Sequence, residues 1–240
     1  GLMKDCTVHL VEETNALIGY TQSDEISLIM FAPDFRSQVW FDGKIQKMTS
    51  NLAAHASAFF NKHLAVSLPE KAHLMPTFDC RVWNVPNKEE AVNAILWREQ
   101  DATKNSVSMA TRHYYSHKEM ENQGRADMME MLHKKGINWN DYPDFFKRGS
   151  YVRRIKTSGA FTAAEIEALP PKHMARRDTT LVVERSLVVP VEMPPLARVV
   201  NRVAMVFDGE EPKTALDIMN ECHCVGLSHV DTCTHHEICY

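Results

Sequence analysis

Asp24 and Glu25 stand side by side where the polar stretch Thr21-Gln22-Ser23 gives way to the β-forming run Ile26-Ser27-Leu28-Ile29-Met30-Phe31. Adjacent carboxylates at the entrance to a strand can hold a divalent cation at a sheet edge. Successive side chains point to opposite faces, so one carboxylate turns toward a cleft while the apolar residues anchor the strand. A hard ion such as Mg²⁺ takes oxygen ligands, commonly one or two carboxylates with water and substrate phosphates filling the shell. The competing reading is a solvated strand start. A second concentration of metal-ligating types, Cys222, His223, Cys224, His229, Cys233, His235, His236 and Cys239, falls in the last stretch. Cys222, Cys224, Cys233 and Cys239 have the softness zinc prefers, but their spacing fits no paired Cys-x-x-Cys framework, and an oxidation-prone extension competes with a zinc site.

The elements that would position these groups follow from periodicity. Leu2, Met3, Cys6, Leu10 and Leu17 recur at helical spacing and predict a helix over 2–17, with Gly19 as its stop, followed by a strand over 25–31. From 44 to 60, Ile45, Met48, Leu52, Ala56 and Phe59 form one helix face, while Lys44, Lys47, Asn51 and His55 share another. Lysines at a helix start complement phosphate together with free backbone N–H groups; a solvated polar face is the plainer reading. A strand over 77–86 places Asp79 and Arg81 on one face, suited to an ion pair, and Cys80 and Val82 on the other. Asn87-Lys88-Glu89-Glu90 opens a long helix on which Arg98, Asp101 and Asn105 form a stripe. Further expected elements are a helix over 125–135 ended by Gly136, a capping box Thr162-Ala163-Ala164-Glu165 and a strand over 180–189.

Length and composition bound the class. The chain has 240 residues, enough for a catalytic domain with a smaller appendage, and 44% hydrophobic with 24% charged residues is the balance of a soluble globular protein. No apolar run spans a bilayer and no signal peptide is visible, which predicts a cytoplasmic protein without membrane partners. A net charge of -4 argues against a uniformly basic nucleic-acid binder, so any RNA contact would run through patches such as Lys147-Arg148 and Arg153-Arg154-Ile155-Lys156. Cys6 and Cys80 lie in apolar surroundings and read as reduced, buried thiols.

Glu12 through Glu25, with Ile18-Gly19-Tyr20-Thr21-Gln22-Ser23-Asp24-Glu25 at its core, resembles the second metal-binding motif of the tRNA-His guanylyltransferase family, whose reactions run in the 3'-to-5' sense. Later stretches resemble the family in the right order. Ile45-Gln46-Lys47-Met48-Thr49-Ser50 is similar to its Lys-x-x-Ser helix, Phe78-Asp79-Cys80-Arg81-Val82 to its Phe-Asp-x-Arg-Val strand, and Trp97-Arg98-Glu99-Gln100-Asp101 to its Trp-Arg-Gln-x-Asp signature. Thr103 stands where the family often has His. Gly136 to Gly149 and Pro194 to Gly209 resemble the bacterial, archaeal and phage-like branch, so the likeness covers roughly 1–212.

The resemblance implies an α+β fold: a polymerase-palm-like, ferredoxin-like antiparallel sheet with helices packed on one face, and a smaller C-terminal α+β portion. The corresponding divisions are 1–135, 136–212 and a Cys/His-rich tail at 213–240. It also implies metal-dependent addition of a nucleotide to the 5' end of tRNA, by guanylylation of tRNA-His or repair of a truncated end. GTP or ATP would be substrates and two Mg²⁺ ions roughly 4 Å apart would serve each site. Asp24 and Glu25 would be the metal ligands, with Ser23, Lys44, Lys47 and Ser50 on the nucleotide. Asp79, Arg81, Arg98, Asp101, Asn105, Lys147 and Arg148 would be structural or RNA-facing. A homotetramer is the family's common assembly. One departure matters: the family's first metal carboxylate lies in an Asp-Gly-Arg motif on a strand before the first helix, whereas Asp42-Gly43-Lys44 follows the Ser-Asp-Glu strand and reads as a turn. The first strand and ligand are then absent, and a nucleotide- or RNA-binding module without turnover is the alternative.

Overall fold

A computed structural model describes residues 1–34 and 36–221. Helix α1 (Leu2–Thr14) ends where Asn15 takes the left-handed conformation, φ 55°, a helix-ending role asparagine shares with glycine. The helix therefore stops short of the expected 2–17, and Gly19 belongs to strand β1 (Ile18–Gln22), which the sequence reading did not anticipate. Strand β2 (Glu25–Ile29) pairs antiparallel to β1 with Gln22 opposite Glu25, leaving Ser23-Asp24 as a two-residue turn. Ser23 has a φ of 54°, the positive value such tight hairpin turns require.

The remaining elements frame this hairpin. Helix α2 (Ile45–Ser67) and helix α3 (Lys88–Arg112) are the long ones. The shorter α4 (His117–Met120), α5 (Arg125–Lys134) and α6 (Asp144–Arg148) precede strand β3 (Ser150–Ala160). Helix α7 (Ala163–Ala168), strand β4 (Val182–Val191), α8 (Arg202–Phe207) and α9 (Ala215–Glu221) complete the described chain. The expected starts at Asn87 and Thr162 are both real caps: the Asn87 side chain accepts from the Glu90 amide at 2.8 Å, and Thr162 and Glu165 bond reciprocally.

The four strands form one antiparallel sheet in the order β2-β1-β3-β4. Its helices lie on both faces, not on one as expected. Ile18, Tyr20, Ile29 and Tyr151 face α3 and α8 through Val92, Ile95 and Met205. Ile26, Leu28 and Met30 face α1 and α2 through Leu10, Leu52 and Ala56. With apolar residues on both sides of β2, both faces must be covered. Cys6 is fully buried in the second cluster, and burial pushes its thiol up to about 11, which keeps it protonated.

The 77–86 segment departs from expectation. Phe78, Cys80 and Val82 turn inward to the α2 side while Asp79, Arg81 and Trp83 turn outward, the alternation of a strand, yet it joins no sheet among the described residues. Its anchors are side chains of α2: the Phe78 amide donates to Ser57 Oγ at 2.9 Å and Asn61 Nδ2 donates to the Pro76 carbonyl at 2.7 Å. Strand β2 is the neighbouring edge of the sheet and its outer side is likewise unpaired. At the other end of the chain, Arg153 donates to the Glu210 carbonyl and the Glu211 carboxylate, and Val199 bridges Thr214, which fixes the segment leading into α9. Cys222, Cys224, Cys233 and Cys239 lie outside the described residues. Among the described residues no helix is long and apolar enough to cross a membrane.

Helix α1 approaches β1 at Gly19. A Cβ built there would lie 2.6 Å from Thr7 Cγ2 and 2.8 Å from Val11 Cγ2. Gly19→Ala should therefore cost about 1–3 kcal/mol through overpacking, read as a lower urea midpoint with an unchanged slope; a midpoint equal to the parent's would refute the close contact.

Candidate active site

The tight turn sets the chemistry at the hairpin tip. Asp24 is exposed, and among the described residues its carboxylate has no hydrogen bond or ion pair. Glu25, on the α3-facing side of β2, is drawn toward Arg98 Nη1 at 3.3 Å. An ion pair this exposed contributes at most about 1 kcal/mol, so its consequence is orientation. Glu25 is held against α3 while Asp24 is left open to a ligand. The same Arg98 guanidinium lies 5.2 Å from the Trp97 ring centre.

One residue further along α3, Glu99 turns into the core and is only 3% exposed. It accepts from Tyr151 Oη at 2.6 Å and from the Leu196 amide at 2.8 Å, joining α3 to β3 and to the segment before α8. Tyr20, whose ring centre is 4.8 Å from that of Tyr151, donates to the Arg148 carbonyl at 2.8 Å. Burial raises the Glu99 carboxyl above the usual carboxylate range, and the two donated hydrogen bonds offset part of that shift. Sequence reasoning passed over Glu99 as one letter of a motif. Its signal was position: it follows Val92 and Ile95 on the buried stripe of α3, where an acid must find partners.

The other sequence candidates are distributed. Lys44 caps α2 through backbone only and pairs with Asp42 at 3.6 Å; Lys47 lies 5.8 Å from the Phe41 ring centre; and Ser50 Oγ donates to the Gln46 carbonyl at 2.8 Å. Asp42 is a left-handed turn residue, φ 54°. Beside these first turns of α2, an open hollow of about 370 Å³ is lined by Arg36, Ser37, Gln38, Val39, Asp42 and Gly43. Among the described residues no hydrogen bond or ion pair joins Lys44, Lys47 or Ser50 to the Asp24-Glu25 turn, although α2 and β2 share one apolar cluster. Asp79 and Arg81 form a surface pair at 3.1 Å, and Asn105 donates to Asp101 at 3.0 Å. Lys147 and Arg148 both reach Asp144, at 3.3 and 2.8 Å, and Lys147 also donates to the Asn140 carbonyl, so these cations are bound up within the fold.

A Mg²⁺ ion bound at this turn would take Asp24 and Glu25 as its protein ligands, with water and substrate phosphate completing its shell. Among the described residues no group of three His, Cys, Asp or Glu side chains is placed to hold a metal.

Residues 1–86 match the family model for tRNAHis guanylyltransferase. A solved bacterial tRNA(His) guanylyltransferase-like protein in complex with ATP is 29% identical, with a TM-score of 0.65 over 86% of this chain and 78% of that one. A related structure in complex with GTP gives a TM-score of 0.57 at 28% identity, covering 82% of this chain and 73% of that one. The chain is 28% identical over 156 residues to the tRNA(His) guanylyltransferase of Neurospora crassa, covering 57% of this chain and 50% of the relative. It is 25% identical over 176 residues to an uncharacterised protein of Acanthamoeba polyphaga mimivirus, covering 63% and 60%. The chain thus spans 50% to 60% of the length of these two relatives. By these likenesses the chain is similar to tRNA(His) guanylyltransferases and guanylyltransferase-like proteins, in its first 86 residues by the family model and over most of its length by fold.

The Glu99 environment makes stability depend on pH. Because the folded carboxyl is raised, its stabilising contribution is complete below the ordinary value of 4.5 and is lost as pH rises through the folded value. Glu99→Gln should flatten that fall, so urea midpoints measured from pH 4 to pH 8 should converge on or cross those of the parent toward the alkaline end; parallel curves would exclude the effect.

Proposed function

We propose that this protein adds nucleotides to the 5' end of tRNA in the 3'-to-5' direction as a Mg²⁺-dependent nucleotidyltransferase. The observation that carries the reading is the unpaired Asp24 carboxylate at the hairpin tip, with Glu25 held aside by Arg98, in a chain whose fold is that of an ATP-bound relative. Asp24 holds the metal and Glu25 serves as a ligand or its support. Bound there, Mg²⁺ supplies charge neutralisation for the triphosphate and acidifies the attacking hydroxyl. Lys44, Lys47, Ser50 and the uncapped first turn of α2 receive triphosphate, since free N–H groups and lysines both favour an anion. In the reaction, the 3'-oxygen of the incoming nucleotide bonds to the 5' phosphorus of the RNA. The bond from that phosphorus to its leaving phosphate group breaks, and the hydroxyl proton passes to water. In this reading the protein acts on tRNA and nucleoside triphosphates in the cytoplasm, as a homotetramer.

A second reading has an observation of its own. No third carboxylate joins Asp24 and Glu25 among the described residues, and the outer side of β2 is open. A palm-like sheet with a two-ion site would need a further strand on that side bringing an acid. Without it the protein binds nucleotide and RNA ends but does not transfer.

Mg²⁺-dependent addition of a labelled nucleotide to a 5'-truncated tRNA separates the two. Transfer by the parent that falls at least about a hundredfold in Asp24→Ala, as expected when an electrostatic contact to the transition state is removed, supports the enzyme. Nucleotide binding by both proteins with transfer by neither supports the binding module.

A further inference from the structure

We propose that the hollow between Trp83 and Trp97 binds a nucleobase, resting on the reading above that the protein handles nucleotides. Both tryptophans are 62% exposed, whereas Trp139 is buried and Trp40 half-buried. An indole left in water forfeits a large burial gain, and two of them facing one hollow form a patch of the kind that marks a binding site. The hollow, about 510 Å³, lies between the extended 77–86 segment and α3, with Val85 and Leu96 as apolar lining and Asn93 and Gln100 as amides. Its volume is in the range of small-ligand sites.

The chemistry of the lining selects the occupant. Indole faces stack on any base, and the Asn and Gln amides offer both donors and acceptors to a base edge. Glu90 is the sole charged residue of the lining, so the hollow repels phosphate and takes the uncharged end of a nucleotide. The position of Arg98 supplies the link to the acidic turn. Its guanidinium lies 5.2 Å from the Trp97 ring centre and 3.3 Å from Glu25, so a single side chain separates the stacking platform from the proposed metal ligands. A base seated on Trp97 therefore leaves its sugar and phosphates beside the side of the fold where the hairpin tip is exposed. The base belongs to the incoming nucleotide or to the RNA end.

Tryptophan fluorescence tests this directly, because the exposed pair is the part of the signal a ligand can quench by stacking. The full chain would be titrated with ATP, GTP and a 5'-truncated tRNA in EDTA, alongside Asp24→Ala, Trp83→Ala, Trp97→Ala and Trp97→Phe. The expected result is saturable quenching in the parent and in Asp24→Ala. The affinity should be weakened tenfold or more in each Trp→Ala variant and largely restored by Trp97→Phe, with melting temperatures unchanged because both residues are exposed. Quenching by triphosphates assigns the base to the incoming nucleotide; quenching by RNA alone assigns it to the RNA end. Undiminished binding in both Trp→Ala variants overturns the proposal. So does loss of self-association in those variants with nucleotide binding intact, which would make the hollow a contact between copies. Quenching that persists where transfer is absent leaves this site standing while the catalytic reading falls.

Discussion

The presentation of the acidic turn depends on how closely α1 lies on β1. Gly19 has no side chain to hold them apart, and Thr7 and Val11 occupy the space its Cβ would fill. Arg154 secures the other end of the contact. From β3 it donates through Nε to the Ala16 carbonyl at 3.2 Å, through Nη2 to the Val11 and Glu12 carbonyls, and through Nη1 to Ser186 Oγ at 2.7 Å. One planar cation thus satisfies carbonyls that a helix end leaves unpaired and binds them to two strands. The basic run at 153–156 looked like a nucleic-acid patch, but Arg153 and Arg154 are mortar between elements and leave only Lys156 fully exposed.

On the opposite face the same logic runs through α3. Arg98 and Glu99 are adjacent in sequence, so the helix turns them about 100° apart. One reaches the hairpin tip, while the other enters the core and meets Tyr151 and the Leu196 amide. The position of the Arg98 guanidinium is therefore set by a buried polar contact behind it. A carboxylate with two donors in a dry environment costs much more to leave unpaired than it contributes when paired. That asymmetry fixes the rotation of α3 about its axis and, with it, which side chains face Glu25.

Much of this was legible locally. The Asn87 and Thr162 caps and the Gly136 stop, φ 74°, were readable because each rests on chemistry within a few residues. The Asp79-Arg81 pair followed from strand alternation alone. Strand β1 was not legible: Ile18-Gly19-Tyr20-Thr21-Gln22 has a glycine where strands are weakened, and that glycine is explained only by the helix above it. Helices on both faces were missed because the resemblance suggested one covered face, whereas β2 presents Ile29 to one side and Ile26 and Leu28 to the other. The role of Glu99 depends on partners 52 and 97 residues away, a separation no local pattern encodes.

The segment at 77–86 is extended without belonging to the sheet among the described residues. Alternation predicted a strand and the backbone is extended with that alternation intact, but a strand is completed by its neighbour's hydrogen bonds. Here Phe78, Cys80 and Val82 share an apolar cluster with Ile26, Leu28 and Met30 of the β2 side, while among the described residues neither the 77–86 backbone nor the outer edge of β2 pairs with a strand. Two half-covered apolar rows flanking unpaired backbone are what a sheet presents when it is ready to accept a strand, and β2, only five residues long, is too short to invite unspecific pairing. The catalytic and binding readings then differ in one structural element: a strand at that edge would complete the ladder and bring its own side chains to the Asp24-Glu25 turn, whereas without it a hard cation there would depend on two carboxylates and on the phosphates of a bound nucleotide.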